Sequence, residues 1–526
     1  MTTGTTTRKQ SSDSRRGIIL LFIGLMLSML LASLSQTVLS SAMPTIVGEL
    51  NGVEHMLWVM TAYILASTIV MPIYGKLGDL IGRKSLLIAA ISLFMAGSVI
   101  GALAGDMNWL IAARVVQGLG GGGLMILSQA IIADVVPARE RGKYMGAMGA
   151  VFAVSSVAGP LLGGWITEGP GWRWAFWINL PLGVLALAAA VFLLHLHRPR
   201  TGRPKIDGWG MALLAASTTS LVLVASWGGK DFAWDSPVII GLIIATVVTA
   251  IAFVLVERRT AEPIIPMSLF RDRNFNLTTI AGLLTSVAMF GAIGYLPTYL
   301  QMTVGADATE AGLLMIPMMG ALLIASVGSG VLVSKYGRYK WMPIVGTVLV
   351  AVALALLSTL TPQTSVWLFC AYIAVFGIGL GLGMQILVLI VQNSFPNSQV
   401  GTATAANNFF RQIGATLGSA VVGSVFTSRL VALLGERLPD AEAATGGVNS
   451  LTPDSLAALP APIYDVVVLS FNDALMPLYL FMVPLAVVAV ILLFFVKEVP
   501  LATTIERDIM PEAVAEGNLQ ITSRDD

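Results

Sequence analysis

Cysteine is almost absent from this 526-residue chain: Cys370 stands alone, which excludes an intramolecular disulfide framework and a thiolate metal site. Histidine is nearly as scarce, and His55, His195 and His197 are too scattered to form a ligand cluster. Charge is thin as well. With 11% charged residues against 56% hydrophobic ones, the chain cannot wrap an apolar core in a polar surface, and the bilayer is its solvent. No spacing pairs a nucleophile with a base, and no glycine-rich loop cradles phosphates, so neither an enzyme nor an ATP-driven pump is indicated. No metal, cofactor or nucleic-acid partner is expected.

Present instead are long apolar runs. A helix needs about 20 apolar residues to cross roughly 30 Å of hydrocarbon. Such runs recur near 17–41, 56–75, 86–104, 109–134, 143–166, 173–196, 209–228, 237–256, 276–301, 309–333, 341–360, 365–394, 402–432 and 474–497. This predicts an all-α membrane protein of fourteen spans. The run after Arg16 is long and lacks a small-residue cleavage site, so it reads as a retained first span. Lys and Arg fall on alternate loops, from Lys76, Arg83 and Lys84 through Arg139, Arg141 and Lys143 to Lys335, Arg338 and Lys340. By the positive-inside rule these loops are cytoplasmic, and an even span count puts both termini there, in a multi-pass protein of the cell (inner or plasma) membrane.

The chain repeats itself. "GKLGDLIGRK" (Gly75 to Lys84) returns as "GVLVSKYGRYK" (Gly330 to Lys340): Gly75 matches Gly330, Gly82 matches Gly337 and Arg83 matches Arg338, while Asp79 is replaced by Ser334. Six spans on either side make two homologous bundles, the arrangement of a transporter that rocks about a midplane site. The organisation read from this is a tail at 1–16, a first bundle at 17–196, an inserted hairpin at 207–256, a second bundle at 276–497 with an outer loop at 433–473, and a tail at 498–526 expected to be a solvated end.

"GKLGDLIGRK", "RVVQGLGGGG" (Arg114 to Gly123), "GPLLGG" (Gly159 to Gly164) and "WRWAFWINLPLG" (Trp172 to Gly183) together resemble the signature set of the major facilitator superfamily, and within it the fourteen-helix drug:proton antiporters. The resemblance spans essentially the whole chain. It implies the major facilitator fold, two six-helix bundles plus an inserted two-helix hairpin, and multidrug efflux by proton antiport with alternating access. The partners implied are small amphipathic substrates, protons and lipid, with the protein a monomer. The proline and glycines of "GPLLGG" imply, by the same analogy, the kinked fifth helix of exporters.

The resemblance places Arg114 in proton coupling and the loop of Asp79 and Arg83 in a cytoplasmic latch against the second half, near the start of the span at 402–432. Asp79 is expected where the third helix begins. Asp134 and Arg139 share that membrane face. An arginine costs about 2.5–3.5 kcal/mol at a bilayer centre, so Arg114, roughly 8 Å from the outer end of its span, and Arg411, roughly 13 Å from the inner end of its own, are expected to face cavities. Ser35, Gln36, Trp58, Tyr63, Gln117, Tyr295, Tyr299, Gln385, Asn408, Arg411 and Gln412 are candidates to line a pocket of aromatic and amide groups suited to amphipathic compounds.

One stretch departs from the family. "LASLSQTVLSSAMPTI" (Leu31 to Ile46) keeps the frame of the antiporters' first helix, but Ser35 stands where they resemble one another in an aspartate. Ser35 cannot titrate. Proton coupling, if it exists, then runs through an end-located acid such as Glu310 or through the Asp79 and Asp134 cluster. A cavity holding Arg114 and Arg411 without a deep acid favours neutral, zwitterionic or anionic ligands over dications. Two other functions compete: a proton-independent uniporter or permease for a specific neutral or anionic solute, and a non-transporting scaffold or lipid-handling accessory protein.

Overall fold

The structure, a computed structural model, describes residues 6–50, 55–194, 206–229, 231–438, 456 and 459–503. Among these residues it is helical, with no strand. The first bundle holds α1 (Thr6–Leu50), α2 (Met56–Ile81), α3 (Arg83–Ala102), α4 (Met107–Val135) and α5 (Ala138–Glu168), then a sixth span made of α6 (Trp174–Trp177) and α7 (Asn179–Phe192). A hairpin follows, α8 (Gly208–Trp227) and α9 (Pro237–Glu257). The second bundle holds α10 (Arg273–Ile293) with its continuation α11 (Leu296–Tyr299), α12 (Ala308–Leu314) leading into α13 (Ile316–Tyr336), α14 (Trp341–Leu357), α15 (Val366–Ser394), α16 (Asn397–Arg437) and α17 (Ala461–Phe494).

Thirteen helices among the described residues are long and apolar enough to cross a membrane, and α14, at 17 residues, is the fourteenth apolar helix. Each bundle buries its own core: Leu25, Leu31, Phe94 and Leu127 sit in the first, Phe376, Met318, Tyr479 and Leu354 in the second. The bundles meet along two seams, α2 against α16 and α5 against α13. α8 stands against α2 and α16 at the first seam, and α9 packs on α8. The far side of α9 exposes Ile244, Val247, Val248 and Ile251, a surface suited to hydrocarbon.

Several boundaries differ from the sequence reading. Asp79 does not open the third helix; it lies in the last turns of α2, which ends at Ile81 because Gly82 takes φ 98°, a backbone that breaks the helix before Arg83 starts α3. α1 runs on to Leu50, with Met43 and Ile46 buried against Leu110 and Trp172. The backbone of 6–16, read as a tail, already belongs to α1.

The outer loop expected at 433–473 is shorter. Residues 433–437 extend α16 and 461–473 open α17, and the two extensions are joined by an Arg437–Asp473 ion pair of 2.6 Å. Residues 439–455 and 457–458 lie outside the described residues. The beginning of the final tail is tied down rather than solvated. Glu498 accepts the Tyr339 and Lys340 N–H groups at 2.7 and 3.2 Å, Val499 exchanges hydrogen bonds with the Tyr339 hydroxyl, and Ala502 O accepts the Arg139 N–H. Residues 504–526 lie outside the described residues.

Candidate functional site

The densest polar cluster crosses the α2/α16 seam at the face that carries most of the lysines and arginines. The Asp79 carboxylate accepts from Gly401 N (3.2 Å), Thr402 N (2.7 Å) and Thr402 Oγ1 (2.8 Å), all on the first turns of α16. Donors there also sit at the positive end of the helix dipole. Arg83, one helical turn on, pairs with Asp79 at 2.7 Å and with Asp134 at 2.6 Å, and it donates to Asn397 O at 3.1 Å. The Arg83 and Asp79 side chains are 5% and 4% exposed, so the charges are satisfied by each other and by backbone rather than by water. A Cβ on Gly75 would collide with Ala405 and the Gly401 carbonyl; glycine is what lets α2 and α16 come close enough for these bonds.

The repeat places an analogous contact at the other seam. Gly330 packs against the Gly142 carbonyl, as Gly75 does against Gly401, and Gly337, like Gly82, has positive φ (73°). Where the second copy has Ser334 in place of an acid, the polarity is inverted: Arg139 donates to the Ser334 and Lys335 carbonyls at 3.3 and 3.2 Å. Deeper along the seams, Ser326 Oγ donates to Gly146 O (3.0 Å), Gln392 Nε2 to Gln129 O (3.2 Å) and Asn408 Nδ2 to Gln129 Oε1 (3.0 Å). These inter-bundle bonds all lie toward the basic face, which is closed.

Arg114 is fully buried without a carboxylate. Its guanidinium lies 4.2 Å from the centre of the Tyr63 ring, donates to Gln117 Oε1 (2.8 Å) and Val59 O (3.3 Å), and leaves Nη2 without a partner. Gln117 passes the chain on to Ser98 Oγ at 2.8 Å. The ring quadrupole supplies part of the missing negative charge. Tyr63 in turn donates to Ala32 O on α1 (3.2 Å), three residues from the buried Ser35. The neighbouring Thr37 reaches from α1 to Ser155 O on α5 (3.0 Å) and packs on Gly159, so this hydroxyl joins two helices.

The remaining predicted residues do not form one pocket. Trp58 packs edge-on against Trp227 of the hairpin, 5.8 Å between ring centres. Tyr299 is buried and donates to Asn472 on α17 at 2.9 Å, and Tyr295 lies on Phe426 at 5.5 Å. Gln36 and Gln412 are half-buried on α1 and α16. Gln385 is buried at the α5/α13 seam beside Gly149, with Oε1 unpartnered. Glu310 is exposed and occupied in a capping box with Asp307 at the start of α12, far in sequence and setting from the Asp79 cluster.

Arg411 bonds to Asn408 Oδ1 and lines a narrow cavity inside the second bundle. Sequence reasoning missed Gln129, which ties both α15 and α16 to the first bundle, and Glu257, 2% exposed, which accepts the Ile264 and Ile265 N–H groups at 3.1 and 3.2 Å. Glu257 is the acid that ends an apolar span, and that position was the available signal.

A family model described as Major Facilitator Superfamily matches residues 25–419. The chain is 41% identical over 491 residues to an uncharacterized MFS-type transporter of Mycobacterium tuberculosis, covering 93% of this chain and 71% of the relative. It is 39% identical over 430 residues to the multidrug transporter protein MdtP of Bacillus subtilis, covering 82% and 79%, and 35% identical to Multidrug resistance protein 3 of the same organism, covering 81% of each. Among solved structures, the human organic anion transporter MFSD10 matches with a TM-score of 0.60 at 15% identity, covering 91% of this chain and 99% of that one. The proton:xylose symporter XylE matches at 0.57 and 15%, covering 92% and 97%. Two six-helix bundles with an inserted hairpin, hydrogen-bonded across glycine-lined seams, and a family match over most of its length: the chain belongs to the major facilitator superfamily and is a transporter rather than an enzyme.

Proposed function

We propose that this transporter exports small amphipathic compounds by alternating access coupled to proton antiport, in the cell membrane, with its basic face and both termini cytoplasmic. The observation that carries the proposal is the Asp79 joint, a carboxylate of the first bundle held by three donors of the second. Water can satisfy each of these groups once the bundles part, so the closure is reversible in a way that an interdigitated apolar contact is not. The names of the relatives at 39% and 35% identity, a multidrug transporter and a multidrug resistance protein, support export of drug-like compounds. With Ser35 on α1, coupling falls to Asp79 and Asp134, which share Arg83. A proton on either carboxylate removes one half of an ion pair and loosens the joint.

The test is uptake of cationic, neutral and anionic lipophiles into liposomes, with and without an imposed pH gradient. Gradient-driven accumulation that disappears in a D79N/D134N double variant supports the proposal. Equilibration without accumulation in the unaltered protein would defeat the antiport and leave a facilitator, the reading that Ser35 favours.

A further inference from the structure

The two deep arginines differ in what surrounds them. Arg114 is 0% exposed and held by a ring, an amide and a carbonyl within the first bundle, with Nη2 left unpartnered and no cavity beside it among those described. Arg411 is half-buried, makes one protein hydrogen bond, to Asn408, enters no ion pair among the described residues, and lines the cavity between α10, α14, α15 and α16. Gly282, Thr285, Ser286, Thr347 and Gly383 also line it, and no lining residue is acidic. Thr285 Oγ1 is buried there without a hydrogen-bond partner. The cavity is narrow, with room for a small polar group rather than a whole ligand, and its lining is apolar apart from a few convergent polar groups. A guanidinium with unused donors beside a buried, unpartnered hydroxyl, with no carboxylate in the lining, is a site short of one negative charge.

We infer that this cavity receives the carboxylate of an amphipathic organic acid, with Arg411 as its charge partner and Thr285 as a hydrogen-bond donor. The inference rests on reading the protein as a carrier of small amphipathic compounds and names their charge. It moves anion recognition into the second bundle alone and leaves Arg114 outside the ligand's contacts. Binding is separable from transport. The measurement uses the full-length protein in nanodiscs, with fluorescence anisotropy of pyrenebutyrate and of its uncharged amide read against empty nanodiscs.

The expected result is at least tenfold tighter binding of the acid than of the amide. R411Q removes that preference without changing amide binding, R411K restores part of it, and R114Q leaves it in place. T285V, which keeps shape and loses the hydroxyl, weakens acid binding severalfold. Equal affinity for acid and amide in the unaltered protein overturns the inference, and so does a preference that survives in a folded R411Q protein. If the preference is present but liposomes show no transport of any probe, the proposed export of amphipathic compounds fails and the anion site stands.

Discussion

Asp79 shows how one carboxylate is worth more than its charge. It is a hydrogen-bond acceptor for α16, an ion-pair partner for Arg83 and a crossing point between the bundles. Removing one partner of a buried pair costs about 3–5 kcal/mol, and each ~1.4 kcal/mol is tenfold in an equilibrium. D79N is therefore expected to shift the balance between closed and open basic faces by about a hundredfold to a few thousandfold toward open. Spin labels on cysteines at the exposed Ile81 and Ser398 of a C370S background report it: the short distance of the unaltered protein gives way to a longer one. An unchanged distance distribution would show that Asp79 does not hold the face closed. In the sequence, Asp79 and Arg83 were legible as a pair because four residues separate them on one chain segment. Gln129 was not, because an amide in an apolar helix looks the same whether it faces its own bundle or the other; its partners, Gln392 and Asn408, are more than 260 positions away. Trp58 misled for a related reason. An indole with an apolar body suits a pocket and a helix face equally well, and here the hairpin occupies it.

At the level of helices, existence was legible and ends were not. Apolar runs near 20 residues mark what must sit in hydrocarbon, but α16 begins at Asn397 and α17 at Ala461 in segments too polar or too small-residue-rich to advertise a span. Tertiary pairing, such as Arg437 with Asp473, extends them. The glycines at the seams are more decisive than the helix ends. G75V puts a branched side chain where Ala405 and the Gly401 carbonyl already stand, so α2 and α16 cannot close. Transport is expected to fall at least tenfold, while a cysteine at Thr402, which is 5% exposed, becomes reactive toward a water-soluble maleimide. Full transport by G75V would remove the close approach of these helices from the cycle. The hairpin has a sharper internal dependence: E257Q retains one acceptor for two N–H groups, a loss of about 1–3 kcal/mol, expected as earlier thermal unfolding of a hairpin-located fluorophore with the bundle cores unaffected.

Across the whole molecule, polar fastening is concentrated on one face. The segment 497–503 adds to it, pairing Lys497 with Asn274, Val499 with Tyr339 and Asn393, and Ala502 with Arg139 of the first bundle. Ending the chain after Val496 removes a handful of hydrogen bonds of about 1 kcal/mol each, and Tm is expected to drop by about 2–4 °C or more by scanning calorimetry or nanoDSF. An unchanged Tm would mean that these contacts are replaced by water at no loss.

The hairpin makes the two seams between the bundles unequal in what they present to the bilayer. α8 shields the α2/α16 seam, with Trp227 on Trp58 and Lys76 paired to Glu262 at 2.6 Å. Nothing among the described helices shields the α5/α13 seam, whose flanks present Phe152, Val154, Ile324 and Val331 outward. One seam is thus walled off by the hairpin, and the other meets the surrounding hydrocarbon directly.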